Sequence, residues 1–175
     1  GSIKAEEGIP DRGSVFAMEG SCAHYIGEQT LLGKGHASAW LGVKVEGFED
    51  IEVTAAMCDY VQTYVDYVRA IPGTLLVEQR LDFSHVVPDG FGTSDTDNTQ
   101  LMLYAIGAVE QYSYAGDFKT IRMVIVQPRL DHISEWEIDR DTLDKFAVFA
   151  GQAAQLALSD NPPRNPTEKG CQWCK

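Results

Sequence analysis

From Val15 to Leu158 the spacing of apolar residues switches repeatedly between the three-to-four period of a helix and the two-residue period of a strand. An all-helical bundle or an all-strand sandwich does not carry both periods, so the chain is restricted to a mixed architecture. Val15–Leu32 places Phe16, Cys22, Ala23, Ile26 and Thr30 near one helical stripe, and the Gly-rich LLGKGHASAWLG ends it. Residues 54–70 set Met57, Tyr60, Val61, Tyr64, Val65 and Val68 at spacings of three and four. That pattern predicts an amphipathic helix with Thr54 as N-cap and Ile71-Pro72-Gly73 as its stop. Leu75–Phe83 alternates, with Leu75, Val77, Gln79, Leu81 and Phe83 on one face, and reads as a strand. A turn at Pro88-Asp89-Gly90 leads into a second strand beginning near Phe91–Asp95.

Thr99–Tyr112 is helical by composition and period. Lys119–Gln127 is a strand, and its apolar run Met123–Val126 predicts a central position in the sheet. Asp141–Leu158 is the last helix, with Leu143, Phe146, Ala147, Ala150, Ala153, Ala154 and Ala157 expected to face inward. The order helix, helix, strand, strand, helix, strand, helix predicts an α/β fold with a small mixed sheet flanked by helices.

The length of 175 residues suits one domain with a small appendage. The expected division is a core over 1–158 and a Pro-rich tail over 159–175 that packs back on it. Apolar residues make up 44% of the chain and aromatics 10%, which excludes wholesale disorder. With 14 Lys and Arg against 26 Asp and Glu, the formal charge is −12. That balance argues against a polyanion binder working through bulk charge. It leaves room for an enzyme whose carboxylates hold divalent metals. No apolar run approaches the ~20 residues of a membrane helix, so a cytoplasmic location is expected. Four cysteines are too few for a secreted disulfide scaffold of this size.

Three constellations carry chemistry. His24 and Glu28 lie four residues apart on the first helix, with Glu19 five residues before His24 and less well aligned. Such a pair either ligates a divalent ion or makes an ordinary surface hydrogen bond. Gly92-Thr93-Ser94-Asp95-Thr96 sets a carboxylate after a turn, which is also common turn chemistry. Gln100 and Tyr104 interrupt an otherwise apolar helix, either as a buried polar pair needing partners or as a solvent-facing edge. At the other end, Cys171-Gln172-Trp173-Cys174 is a C-x-x-C that favours zinc or an iron–sulfur cluster over a structural disulfide. Cys22 and Cys58 fall within helices and read as buried apolar fillers.

A helix with G-x-x-x-H, then a strand with G-x-x-D, then a helix with Q-x-x-x-Y resembles the RecB-like branch of the PD-(D/E)XK nuclease superfamily. The wording is closer still to a phage and prophage family of that branch, catalogued as a domain of unknown function. The pieces that carry the likeness are AMEGSCAHYIGE, GKGHASAWLG, VQTYVDYVR, VEQRLDF, GFGTSD, NTQLMLYAIGA and CQWC. The resemblance implies a restriction-endonuclease-like core and a Mg²⁺- or Mn²⁺-dependent deoxyribonuclease. It further implies an exonuclease serving phage recombination in a bacterial host cell, with DNA as partner. A helicase or single-strand annealing protein is the kind of companion it implies. His24 and Asp95 would be metal ligands, and Gln100 and Tyr104 would sit beside the site. Cys171 and Cys174 would belong to a [4Fe–4S] cluster, with zinc as the alternative.

The chain departs from that pattern at one place. The superfamily's acid-x-Lys should follow Asp95, yet Thr96-Asp97-Asn98 runs directly toward Gln100. Asp117-Phe118-Lys119 has the right letters but follows the Gln–Tyr helix. A hairpin of roughly 15 residues is missing from that stretch. Residues of the natural protein absent from this sequence, a deletion, or a naturally inactive member each account for the gap, and the first is favoured. The rival expectation is a catalytically inactive nuclease-fold module that binds DNA or protein.

Overall fold

The computed structural model describes residues 15–33, 35–86 and 99–163. Four α-helices and two strands make it a mixed α/β structure: α1 (Val15–Leu31), α2 (Ala55–Ala70), α3 (Thr99–Gln111), β1 (Thr120–Gln127), β2 (His132–Asp139) and α4 (Arg140–Ala157). The chain divides into two compact units, Gly1–Gln79 with Ile125–Ser134, and Arg80–Val124 with Glu135–Lys175. No helix among the described residues is long and apolar enough to cross a membrane.

In the first unit, α1 and α2 pack around Cys22, Ile26, Met57, Cys58, Val61 and Val65. The segment between the helices closes this core with Val45, Ile51 and Val53, all buried although the segment has little regular structure. Its own turns satisfy the backbone: the Phe48 N–H donates to the Val45 carbonyl and the Ile51 N–H to the Phe48 carbonyl, each at 2.9 Å. Tyr25 is packed by Trp40 and Phe48, at 6.0 and 6.3 Å between ring centres. Thr54 caps α2 as expected, its Oγ1 accepting from the Met57 N–H at 3.2 Å. Arg69, in the last turn of α2, donates to the Thr30 carbonyl at 2.8 Å and so satisfies an acceptor at the end of α1. Cys22 and Cys58 are free and buried, as fillers should be, and burial pushes both thiols above their ordinary range.

The second unit has its own core, in which Met102, Leu103, Ile106 and Val109 of α3 meet Met123, Leu143 and Ala154. Asp139 caps α4, accepting from the Thr142 N–H at 2.7 Å. Of the residues expected inward on α4, Leu143 and Ala154 are buried and Phe146, Ala147 and Ala150 half-buried. Ala153 and Ala157 are exposed, because small alanines extend an apolar stripe beyond the face that packing occupies.

The sheet corrects two expectations. Leu75–Phe83 is not a strand. Leu75 and Leu76 are about half exposed, and Glu78 adopts a left-handed φ of 48°, which breaks the extended run. Its alternation is nonetheless real where it matters: Leu81 and Phe83 are half-buried and Asp82 between them is exposed. That face lies on α3 instead of joining a ladder. An ideal Cβ at Gly107 would stand 3.1 Å from Leu81 Cβ and 3.2 Å from the Asp82 carbonyl oxygen. Second, β1 pairs with β2 alone among the described residues, so it is not a central strand there.

β2 is a strand that the sequence reading does not anticipate. Its signal is the alternation of half-buried Ser134, Trp136 and Ile138 with exposed neighbours. The two strands run antiparallel and join through a 3₁₀ turn at Pro128–Leu130. Asp131 closes the turn in the left-handed region at φ 48°, which aspartate tolerates better than most residues. The second expected strand, near Phe91–Asp95, lies outside the described residues.

Candidate functional site

A groove of about 380 Å³ opens in the first unit, walled by α1, α2 and the tip of the hairpin. Two glycines of α1, seven residues apart and so on one face, explain its shape. At Gly27 the helices touch: a Cβ there would lie 3.2 Å from the Tyr64 ring. At Gly20 nothing stands within 4 Å of the corresponding position, and the same face opens onto the groove. Met57, Tyr60, Val61 and Tyr64, the stripe read from α2, form the apolar wall. Val126, Pro128 and Arg129 close it from the hairpin tip.

His24 is exposed and lines this groove, as does Glu19. Glu28, the better aligned partner by helical spacing, is half-buried and does not line it. Glu19 and His24 flank the small Gly20 and Ala23, so both reach the same opening from either side. Glu19 Oε1 lies 3.5 Å from the Arg129 guanidinium. Burial pushes the Tyr64 phenol above its usual range, and the Glu78 carboxylate adds to the effect. Tyr64 is thus a neutral hydrogen-bonding phenol at neutral pH.

Gln100 and Tyr104 come together in the second unit. The Gln100 amide N–H donates to the Tyr104 phenol oxygen at 3.0 Å, on the exposed side of α3. The Tyr104 ring also packs near Phe83, 6.2 Å between centres. Of the two alternatives for this pair, the solvent-facing edge is the one found. Because the phenol oxygen accepts from Gln100, its own hydrogen is left to donate outward. Asp95, Cys171 and Cys174 lie outside the described residues. His24 belongs to one unit and the Gln100–Tyr104 pair to the other.

The sequence reading missed Arg129, Tyr60 and Tyr64 as groove residues. Tyr60 and Tyr64 were legible only as part of an amphipathic stripe, and Arg129 reaches the groove from 98 positions after the end of α1. No local spacing signals such a meeting.

No solved structure matches the chain. One family model, described as a protein of unknown function, matches it in two stretches, residues 1–97 and 96–175. The stretches meet at 96–97, between Asp95 and Gln100. The two matches span the sequence, and the chain belongs to this family, DUF2800.

Proposed function

We propose that the protein is a metal-dependent deoxyribonuclease with a RecB-like PD-(D/E)XK core, acting as an exonuclease in phage DNA recombination or processing. The observation that carries the reading is the position of His24, exposed on the wall of an open groove rather than satisfied in a core. An exposed imidazole is a nitrogen donor that suits Mn²⁺ better than Mg²⁺. Among the described residues no three His, Cys, Asp or Glu side chains are grouped to hold an ion. On the nuclease resemblance, His24 would hold the metal together with Asp95. When bound, the ion polarises the phosphate and lowers the pKa of its water. The Gln100–Tyr104 pair would turn the phenol O–H toward a phosphate oxygen and fix the strand beside the cut. Cys171 and Cys174 would join a [4Fe–4S] cluster, with zinc as the alternative; iron content and broad absorbance toward the blue distinguish them.

Asp95→Ala should abolish Mn²⁺-dependent release of nucleotides from linear DNA. A mutant that degrades DNA as fast as wild type removes Asp95 from the site.

One observation favours a second reading, a catalytically inactive module that binds DNA or protein. No acid-x-Lys stands between Asp95 and Gln100, where the resemblance implies one. Intact mass of the purified protein separates the two. A value well above 19.3 kDa means that further residues are present, and a match means that the acid and the Lys are absent from the polypeptide.

A further inference from the structure

The groove of the first unit has a chemical asymmetry that metal ligation by His24 leaves unused. One wall is apolar and aromatic, with Met57, Tyr60 and Tyr64. The mouth carries a cation, Arg129, whose side chain is 56% exposed although it stands beside Glu19. A planar apolar wall beside an accessible guanidinium matches a base joined to a phosphate.

We propose that this groove seats one unstacked nucleotide of a single-stranded DNA, with Tyr60 under the base and Arg129 on the phosphate, and that Glu19 is the internal competitor the phosphate displaces. The proposal rests on the nuclease reading and adds a strand preference and a phosphate-binding residue to it. A base can reach the aromatic wall only when it is unstacked, which a strand end or a single strand supplies without the cost of opening a duplex. Glu19 is partly exposed and its contact with Arg129 is long at 3.5 Å. Such a surface pair contributes little stability, so exchanging the carboxylate for a phosphate costs little.

The test is fluorescence anisotropy of a labelled single-stranded oligodeoxynucleotide, and of its blunt duplex, titrated with the full chain in EDTA. The wild-type protein is expected to prefer the single strand. Arg129→Gln should weaken binding and lower the salt slope by about 0.7, the contribution of one phosphate on a single strand. Arg129→Lys should retain the slope. Glu19→Gln should tighten binding, opposite in sign to Arg129→Gln. Tyr60→Ala should weaken it by roughly 5- to 150-fold. All three side chains are at least partly exposed, so thermal melting checks that each variant remains folded.

If Glu19→Gln and Arg129→Gln move affinity in the same direction, the pair is merely structural and the exchange is wrong. Equal affinity for duplex and single strand, with Tyr60→Ala unchanged, removes the base seat. Wild-type protein that binds neither DNA in EDTA overturns the nucleotide seat, whereas the nuclease reading fails separately if no nucleotide is released from linear DNA in Mn²⁺.

Discussion

His24 was legible because a histidine at helical spacing from a carboxylate limits what it can do. Glu19 shares the groove with His24 and the better aligned Glu28 does not, because the helical wheel ranks neighbours on one helix whereas the groove is made by three elements. Glu19 gains its place from Gly20 and Ala23, which leave room, and from Arg129, which no spacing rule connects to it. Asp139 shows a residue whose role is local and therefore fully readable. Its carboxylate accepts from Thr142, both backbone N–H and side chain, which holds its pKa below the ordinary carboxylate value. A depressed folded-state pKa means that the charged cap stabilises the protein above the unfolded value and that this contribution is lost as pH falls through the folded one. Asp139→Ala should therefore melt lower than wild type at neutral pH, and the gap should narrow below about pH 4. Thermal melts of both proteins across that range check the sign, and a gap that widens in acid contradicts it.

All four helices match the sequence expectation to within a residue or two, because their stripes and stops are local, as with Thr54 before α2 and Ile71-Pro72-Gly73 after it. The strands were harder. Leu75–Phe83 alternates, but alternation reports only that one face is covered, and here α3 covers Leu81 and Phe83 without a hydrogen-bonded ladder. In β2 the covered face is only Ser134, Trp136 and Ile138, and the apolar Ile133 stands exposed at its start, so the alternation is weak in the sequence. The close approach of residues 81–82 to α3 depends on Gly107. Alanine is the better helix former by about 1 kcal/mol. At this site its Cβ would meet the Asp82 carbonyl oxygen at 3.2 Å, and backbone yields less readily than a side-chain tip. Gly107→Ala should therefore destabilise the protein, by about 1–2 kcal/mol in denaturant unfolding. A stabilised variant would show that the 81–82 segment moves aside freely.

At the scale of the whole molecule, each of the two units closes its own core, one around Ile26, Val53 and Val65, the other around Leu143 and Ile106. Composition gave no hint of the division, since both units draw on the same apolar fraction and the hairpin contributes residues to each. The family match covers the whole sequence. The account stands or falls on catalysis. Linear DNA incubated with wild-type protein should release acid-soluble nucleotides in Mn²⁺ and none in EDTA, and His24→Ala should lose that release while remaining folded. Wild-type protein that binds DNA yet releases nothing with either Mn²⁺ or Mg²⁺ would contradict the account and leave the inactive module in its place.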